Sequence, residues 1–156
     1  MPLGNTIWKQ FNAEVKYKND RRMMVVGSDE TIESLNLESK SLLKSMSLDL
    51  VDSLDEGLAS LCASQSTWEF CVVDIDCCTR INSLFDVITS LVDFREEAPS
   101  IPLIIVSSEF KRHDFGSERL QVADASLRSP LEYRTFIEAV FEARTNNLIW
   151  RNRNIA

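Results

Sequence analysis

The sequence predicts an α/β domain in which five parallel strands form a doubly wound sheet with helices on both faces. Two observations predict this fold class. Short apolar runs alternate along the chain with segments whose apolar residues fall at helical spacing, and the clearest run is apolar at every position. Strands covered by helices on both faces are apolar throughout, and strand–helix alternation gives parallel strands joined by right-handed crossovers.

Five apolar runs are predicted as the strands. They cover residues 23–26, 48–51, 70–74, 102–107 and 125–128. Ser53 is placed to cap a helix that has apolar residues at helical spacing over 54–62, and a similar stripe covers 84–92. Pro130 opens a last helix. The alternation predicts a helix after every strand.

The chain is the size of one domain. It has 156 residues, of which 44% are hydrophobic and 26% charged, so it can bury one sizeable core. We expect an N-terminal extension over residues 1–21, a folded domain over 22–145, and a C-terminal tail or linker to an output domain over 146–156.

Charge and cysteine content narrow the classes of function. The 17 Lys and Arg residues against 24 Asp and Glu give a net charge of −7, which disfavours direct nucleic-acid binding by this domain and favours protein partners. Cys62, Cys71, Cys77 and Cys78 form no CxxC pair and have no cluster of histidines beside them, so no zinc site is predicted. We expect a cytoplasmic protein, because there is neither a signal-peptide pattern nor an apolar stretch long enough to span a membrane.

Two carboxylates at the end of the third run are the first candidates for a functional site. Within residues 71–76, a short apolar run ends in Asp74, and Asp76 comes two positions after it. Functional groups in open α/β sheets collect just beyond the carboxyl ends of the strands. Ser107 closes the fourth run in the same way.

Over residues 22–145 the chain resembles the receiver domain of two-component response regulators. The resemblance is carried by residues 23–26, 70–75, 101–108 and 123–131. The last block is the most specific part, because Ala123 and Asp124 lead through a short strand to the proline that opens the final helix. The resemblance implies a flavodoxin-like (βα)5 fold and a role in signal transduction.

Some functional positions of receivers are retained in this chain and others are replaced. Asp74 matches the phosphoaccepting aspartate, and Ser107 matches the hydroxyl residue that hydrogen-bonds the phosphoryl group. The acidic pair that holds magnesium in receivers corresponds to Gly27 and Ser28, and the receiver lysine corresponds to Ser129.

These replacements predict a pseudo-receiver. Phosphoryl transfer to a carboxylate depends on magnesium and a cationic side chain to neutralise charge. Since both are lost, and Ser126 replaces the aromatic switch residue, we expect a non-enzymatic regulatory module that acts through protein contacts and has no resident cofactor. The alternative is a phosphorylatable receiver, in which Asp29, Asp74 and Asp76 rebuild a Mg²⁺ site and Arg128 replaces the lysine as a phosphate contact.

A second alternative is a phosphatase. Asp74 and Asp76 also resemble the nucleophile motif of haloacid-dehalogenase-type phosphatases, with Ser107 as the second motif. That family has Thr or Val four residues after the nucleophile, where this chain has Cys78, and its later lysine and paired acids have no counterpart here. The phosphatase therefore ranks below the receiver.

The resemblance also implies an interaction surface. Receivers often contact partners, or a second copy, through the face made by helix four, strand five and helix five. The candidate interface residues here are Arg119, Tyr133, Arg134 and Trp150. The expected partner is a regulatory protein, a sensor kinase, an output domain or a second copy in a homodimer.

Overall fold

Five parallel strands form a single sheet in the order β2-β1-β3-β4-β5, in a computed structural model that describes residues 22–37, 46–116 and 121–154. The strands are β1 (Arg22–Val26), β2 (Ser47–Val51), β3 (Trp68–Asp74), β4 (Leu103–Ser107) and β5 (Ala125–Arg128). All four pairings are parallel. The predicted fold class is therefore confirmed.

Helices connect the strands and cover both faces of the sheet. They are α1 (Asp29–Ser34), α2 (Leu54–Ala63), α3 (Ile75–Cys78), α4 (Leu84–Glu97) and α5 (Tyr133–Asn154). The Ser53 hydroxyl accepts the backbone N–H of Glu56 and caps α2 as predicted, and Ser83 caps α4 in the same way. None of these helices, over the described residues, is long and apolar enough to cross a membrane.

The strands separate two hydrophobic layers, because successive side chains point to opposite faces. Met23 and Val25 of β1 face the layer that contains Phe136 and Val140 of α5. The neighbouring side chains of β1 face the second layer, where α2 and α4 pack. Each fully buried aliphatic side chain stabilises the fold by about 1.5–3 kcal/mol.

The connection from β4 to β5 differs from the prediction. A helix was expected after every strand, but none occurs in residues 108–116 or 121–124. Instead Asp114 forms an antiparallel bridge with Ser126, and its side chain accepts the N–H of Gly116 in a local turn. The segment is polar and lacks an apolar stripe, so a helix here would have no face to bury.

The last helix extends through the residues that were predicted as a tail. Asn146, Asn147 and Trp150 lie within α5 and are buried. Trp150 is only 5% exposed, and the guanidinium of Arg95 lies 4.3 Å from the centre of its ring. Trp150 is thus a packing residue, and its assignment to an interface is wrong. The predicted extension over residues 1–21 lies outside the described residues, and so does Arg119.

A buried ion pair lies at the amino ends of β4 and β5. Arg95 of α4 and Asp124 are 1% and 0% exposed, and Arg95 Nη1 lies 2.6 Å from Asp124 Oδ2. The same oxygen accepts the backbone N–H of Leu103 at 2.8 Å and the side-chain amide of Asn147 at 3.3 Å. One carboxylate therefore connects α4, β4, β5 and α5.

We expect Asp124→Ala to lower the free energy of unfolding by about 3–5 kcal/mol, because it leaves the buried Arg95 charge without its carboxylate. Arg95→Met/Asp124→Asn should recover part of this loss, because the charge is gone and Leu103 keeps an acceptor. Urea unfolding followed by circular dichroism measures both. Asp93→Ala, at an exposed position on α4, is the control; an equal loss in Asp93→Ala and Asp124→Ala would contradict the assignment.

Candidate functional site

The candidate site lies at the carboxyl edge of the sheet, where β3 ends between β1 and β4. Asp74 is the last residue of β3, Gly27 and Ser28 follow β1, and Ser107 ends β4. Because these strands are parallel, their carboxyl ends meet at one edge. The residues chosen from the sequence are therefore brought to the same region.

Both oxygens of Asp74 accept hydrogen bonds from the protein. Oδ1 accepts the backbone N–H groups of Asp76 at 3.0 Å and Cys77 at 3.3 Å, so Asp74 is the N-cap of α3. Oδ2 accepts the hydroxyl of Thr31 at 2.6 Å. The carboxylate thus has a structural role, in which it links β3, α3 and α1.

Thr31 is the partner that sequence reasoning missed. It lies in α1, is 1% exposed, and its hydroxyl oxygen also accepts the backbone N–H of Ser28 at 3.0 Å. A Cβ at Gly27 would overlap the Thr31 hydroxyl, so a side chain at that position requires Thr31 to move. Thr31 therefore fills the space beside Gly27. A glycine that directly follows a buried strand was the available signal, since it often marks a close approach.

Asp76 faces β4 and is held by two serines. Its Oδ1 accepts the Ser107 hydroxyl at 2.6 Å, and its Oδ2 accepts the backbone N–H and the hydroxyl of Ser108 at 2.8 and 2.7 Å. Partial burial alone would raise the pKa of Asp76. The hydrogen bonds from Ser107 and Ser108, together with the charge of Arg80, outweigh burial and hold the pKa below its ordinary value.

Ser107 and Arg128, the predicted phosphate contacts, bond to groups other than Asp74. The Ser107 hydroxyl donates to Asp76 and accepts the N–H of Glu109 at 3.0 Å, so it is committed to the loop after β4. Arg128 is exposed, and its guanidinium donates to the backbone carbonyl of Lys111 at 3.2 Å. In this arrangement the two residues stabilise the segment between β4 and β5.

The three carboxylates predicted as magnesium ligands have different surroundings. Asp29 is exposed in the first turn of α1, whereas Asp74 and Asp76 accept bonds from different groups. Across residues 22–37, 46–116 and 121–154, no group of three or more His, Cys, Asp or Glu side chains could hold a metal ion. The predicted convergence of Asp29, Asp74 and Asp76 is not found.

Cys77 borders the Asp74 carboxylate. Its sulfur lies 3.4 Å from Asp74 Oδ2, 3.6 Å from the Ser28 hydroxyl and 3.7 Å from the Thr31 hydroxyl. At the neighbouring Cys78, burial, followed by the charges of Asp74 and Cys77, raises the pKa of the thiol to about 12 and so disfavours the thiolate.

The described interface candidates lie at the start of α5. Arg134 is exposed and lies 3.7 Å from Glu138, one turn along the helix. Tyr133 is partly buried and packs against the hydrophobic layer beneath α5. Arg134 is therefore accessible to a partner, whereas Tyr133 contributes to the fold.

We expect Thr31→Val to lower the free energy of unfolding by about 1–3 kcal/mol, because it leaves the Ser28 N–H without its acceptor and Asp74 Oδ2 with only the weak thiol donor of Cys77. Chemical denaturation measures the change. Thr89→Val, at an exposed position on α4, should alter stability by less than about 0.5 kcal/mol. Equal effects of the two substitutions would rule out this role for Thr31.

We expect Asp76→Asn to be less stable than the wild type by about 1–2 kcal/mol at pH 7, because the amide cannot accept all three hydrogen bonds. Since folding lowers the pKa of Asp76, the stabilisation is present above the ordinary carboxyl pKa of about 3.9 and is lost as pH falls through the lower folded-state value. Unfolding measured between pH 7 and pH 3 should show the difference narrowing below about pH 4. Asp52→Asn is the exposed control, and a difference that widens on acidification would contradict the prediction.

Comparisons with known proteins agree with the architecture. No family model and no curated protein matches the chain. Among solved structures, the chain is similar to the crystal structure of a response regulator receiver domain protein from Clostridium thermocellum, with a TM-score of 0.56 and 15% sequence identity. The match covers 83% of this chain and 98% of that one. With the strand order 2-1-3-4-5, this chain has the flavodoxin-like fold of receiver domains.

Proposed function

We propose that the chain is a pseudo-receiver: a regulatory module in signal transduction that acts through protein contacts, without standard magnesium-dependent phosphorylation. One observation carries the proposal. Both oxygens of Asp74, which occupies the phosphoacceptor position, accept hydrogen bonds from Thr31 and the backbone of α3. The carboxylate is thus used as a structural acceptor.

Charge around the site supports the same function. A phosphoryl group on Asp74 would add roughly two negative charges beside Asp76. Arg80 is exposed and lies 3.7 Å from Glu30, and the guanidinium of Arg128 donates to the backbone carbonyl of Lys111, so neither cation is bonded to Asp74. A phosphorylated state would lack the neutralisation on which transfer to a carboxylate depends.

The alternatives require the observed hydrogen bonds to break. A phosphorylatable receiver needs Asp74 to leave Thr31 and Asp76 to leave its serines before either could join a metal site. A phosphatase that uses Asp76 as a proton donor needs a raised carboxyl pKa at neutral pH, whereas the pKa of Asp76 is lowered. A non-enzymatic module requires no such change.

The expected partners follow from this function. A regulatory protein, a sensor kinase, an output domain or a second copy would contact an exposed face, and Arg134 at the start of α5 is the accessible candidate. We place the module in the cytoplasm, because Cys62, Cys71, Cys77 and Cys78 are all free thiols.

The proposal predicts that the wild type forms no phosphoryl adduct when it is incubated with acetyl phosphate and magnesium. Intact-mass measurement detects the adduct, Asp74→Asn controls for its position, and a phosphorylatable receiver controls for the reagent. An adduct on the wild type that is absent from Asp74→Asn would refute the proposal.

A rebuilt variant tests the cause. Gly27→Asp/Ser28→Asp/Thr31→Ala/Ser129→Lys restores the acidic pair and the lysine and removes the hydroxyl that fills the space. Once circular dichroism has shown that this variant folds, we expect it to gain the adduct. If the folded variant also lacks the adduct, the replaced residues are not the cause.

A further inference from the structure

Residues 79–86 form an exposed segment between α3 and α4. All eight are exposed, and they end in the first turn of α4. The segment includes Ile81, Leu84 and Phe85, whose side chains belong to residues that are 81%, 56% and 78% exposed. Large apolar residues that are exposed together in this way mark interaction sites. We call residues 79–86 the α3–α4 segment.

Hydrogen bonds hold the α3–α4 segment in a defined conformation. The N–H groups of Ile81 and Asn82 donate to the carbonyl of Cys78 at 3.3 and 3.1 Å. The hydroxyl of Ser83 accepts the N–H of Asp86 at 3.1 Å and so caps α4. Because the segment is already ordered, a partner that binds it does not have to order it first.

The size of the exposed surface fits a dimer contact. An exposed residue presents roughly 100 Å² of accessible surface, so the eight residues present on the order of 800 Å². This is about the area that each partner contributes to a specific interface of standard size. Ile88 and Val92, which are partly exposed, follow Phe85 on the same face of α4 and extend the apolar surface.

The α3–α4 segment is complementary to itself about Ser83. Arg80 lies three positions before Ser83, and Asp86 lies three positions after it. Ile81 and Phe85 lie two positions away on either side. In a dimer with a two-fold axis, residue i of one copy contacts residue j of the other, and the reverse contact occurs as well. An axis close to Ser83 therefore places opposite charges against each other and apolar side chains against each other.

We propose that the α3–α4 segment binds a second copy of this chain in a two-fold symmetric dimer. Contacts among Ile81, Leu84 and Phe85 of the two copies supply most of the affinity. Each Arg80 lies against Asp86 of the second copy, and these two charge pairs set the register of the contact.

The charges around the segment permit this arrangement. Arg80 lies 3.7 Å from Glu30, but both side chains are exposed, at 62% and 80%, and such pairs are weak. Arg80 can therefore turn towards a second copy. Each copy has a net charge of −7, which opposes association, but the segment itself carries one cation and one anion. The contact surface thus adds no net repulsion.

This inference deepens the proposed function and rests on it, because it names a second copy as the partner of the module. The two can fail separately. A phosphoryl adduct on Asp74 would refute the pseudo-receiver without changing the oligomeric state of the unmodified protein. A monomer would refute the dimer without changing the reactivity of Asp74.

The test is the mass of the full chain in solution, measured by sedimentation equilibrium at concentrations above and below about 1 μM. We expect a dimer. Phe85→Ser should weaken it about tenfold or more. Arg80→Asp and Asp86→Arg should each weaken it about threefold to tenfold, because like charges then face each other. Circular dichroism checks that each variant folds. Leu148→Ser and Arg134→Asp, at exposed positions on α5, are the matched controls and should retain wild-type association.

A mixture of the two charge variants tests the symmetry of the contact. Alone, Arg80→Asp places two acids against two acids, and Asp86→Arg places two cations against two cations. In an equimolar mixture, both charge pairs regain opposite signs in the heterodimer. Native mass spectrometry separates the heterodimer from the two homodimers by mass, and we expect the heterodimer to dominate. A mixture with no preference for the heterodimer would overturn the proposed arrangement.

Three further results would overturn the proposal. A dimer that Leu148→Ser or Arg134→Asp weakens as much as Phe85→Ser does would place the interface elsewhere. A wild type that is monomeric, and that dimerises only on Trp8→Ser, would assign the α3–α4 segment to residues 1–21 of the same chain. A chain that is monomeric with and without Trp8→Ser would leave this surface to a different protein.

Discussion

The buried pair of Arg95 and Asp124 is the constraint on which the arrangement of the β4–β5 half depends. A charge removed from water is costly unless it is paired and hydrogen-bonded, so each partner fixes the position of the other. Asp124 also accepts from the backbone of β4 and from Asn147 of α5. The ion pair therefore links α4 and, through Asn147, α5 to the amino ends of β4 and β5. No helix lies in the described part of the β4–β5 connection. Elsewhere in the sheet, helices packed on the strands hold them in place, whereas here the hydrogen bonds and the ion pair of Asp124 contribute to this.

Most of the fold could be predicted from the sequence, because buried parallel strands have a strong local signature. The strands β1, β3 and β4 are apolar at nearly every position, and the predicted fold class was confirmed. The end of α5 could not be predicted in the same way. Residues 146–156 were predicted as a tail or linker, but the side chains of Asn146 and Asn147 donate to backbone carbonyls of Phe115, Asp124 and Pro99. A polar residue whose side chain bonds to the backbone of a distant loop cannot be told from a surface residue by sequence, because the position of that loop is not known.

The site was predicted in position but not in its bonding. Asp74 could be located because it ends a buried strand, and its cap bonds to the following backbone are local. Its bond to Thr31 spans 43 positions in the sequence, and no spacing rule connects the two. Similarly, Ser107 was correctly placed at the end of β4, but its partner is Asp76, 31 positions away. The residues at strand ends show which side chains gather at a site. Which of them bond to each other depends on how segments that are far apart in the sequence pack together.

The bonding of Asp74 limits how such a module could regulate. A domain switches only if a ligand or modification favours one of two states over the other. In a receiver the phosphoryl group supplies that difference, whereas here the Asp74 carboxylate is bonded to Thr31 and to the backbone of α3. On the proposed function, the module presents its surfaces constantly, and the response is set by the amount and affinity of the partner.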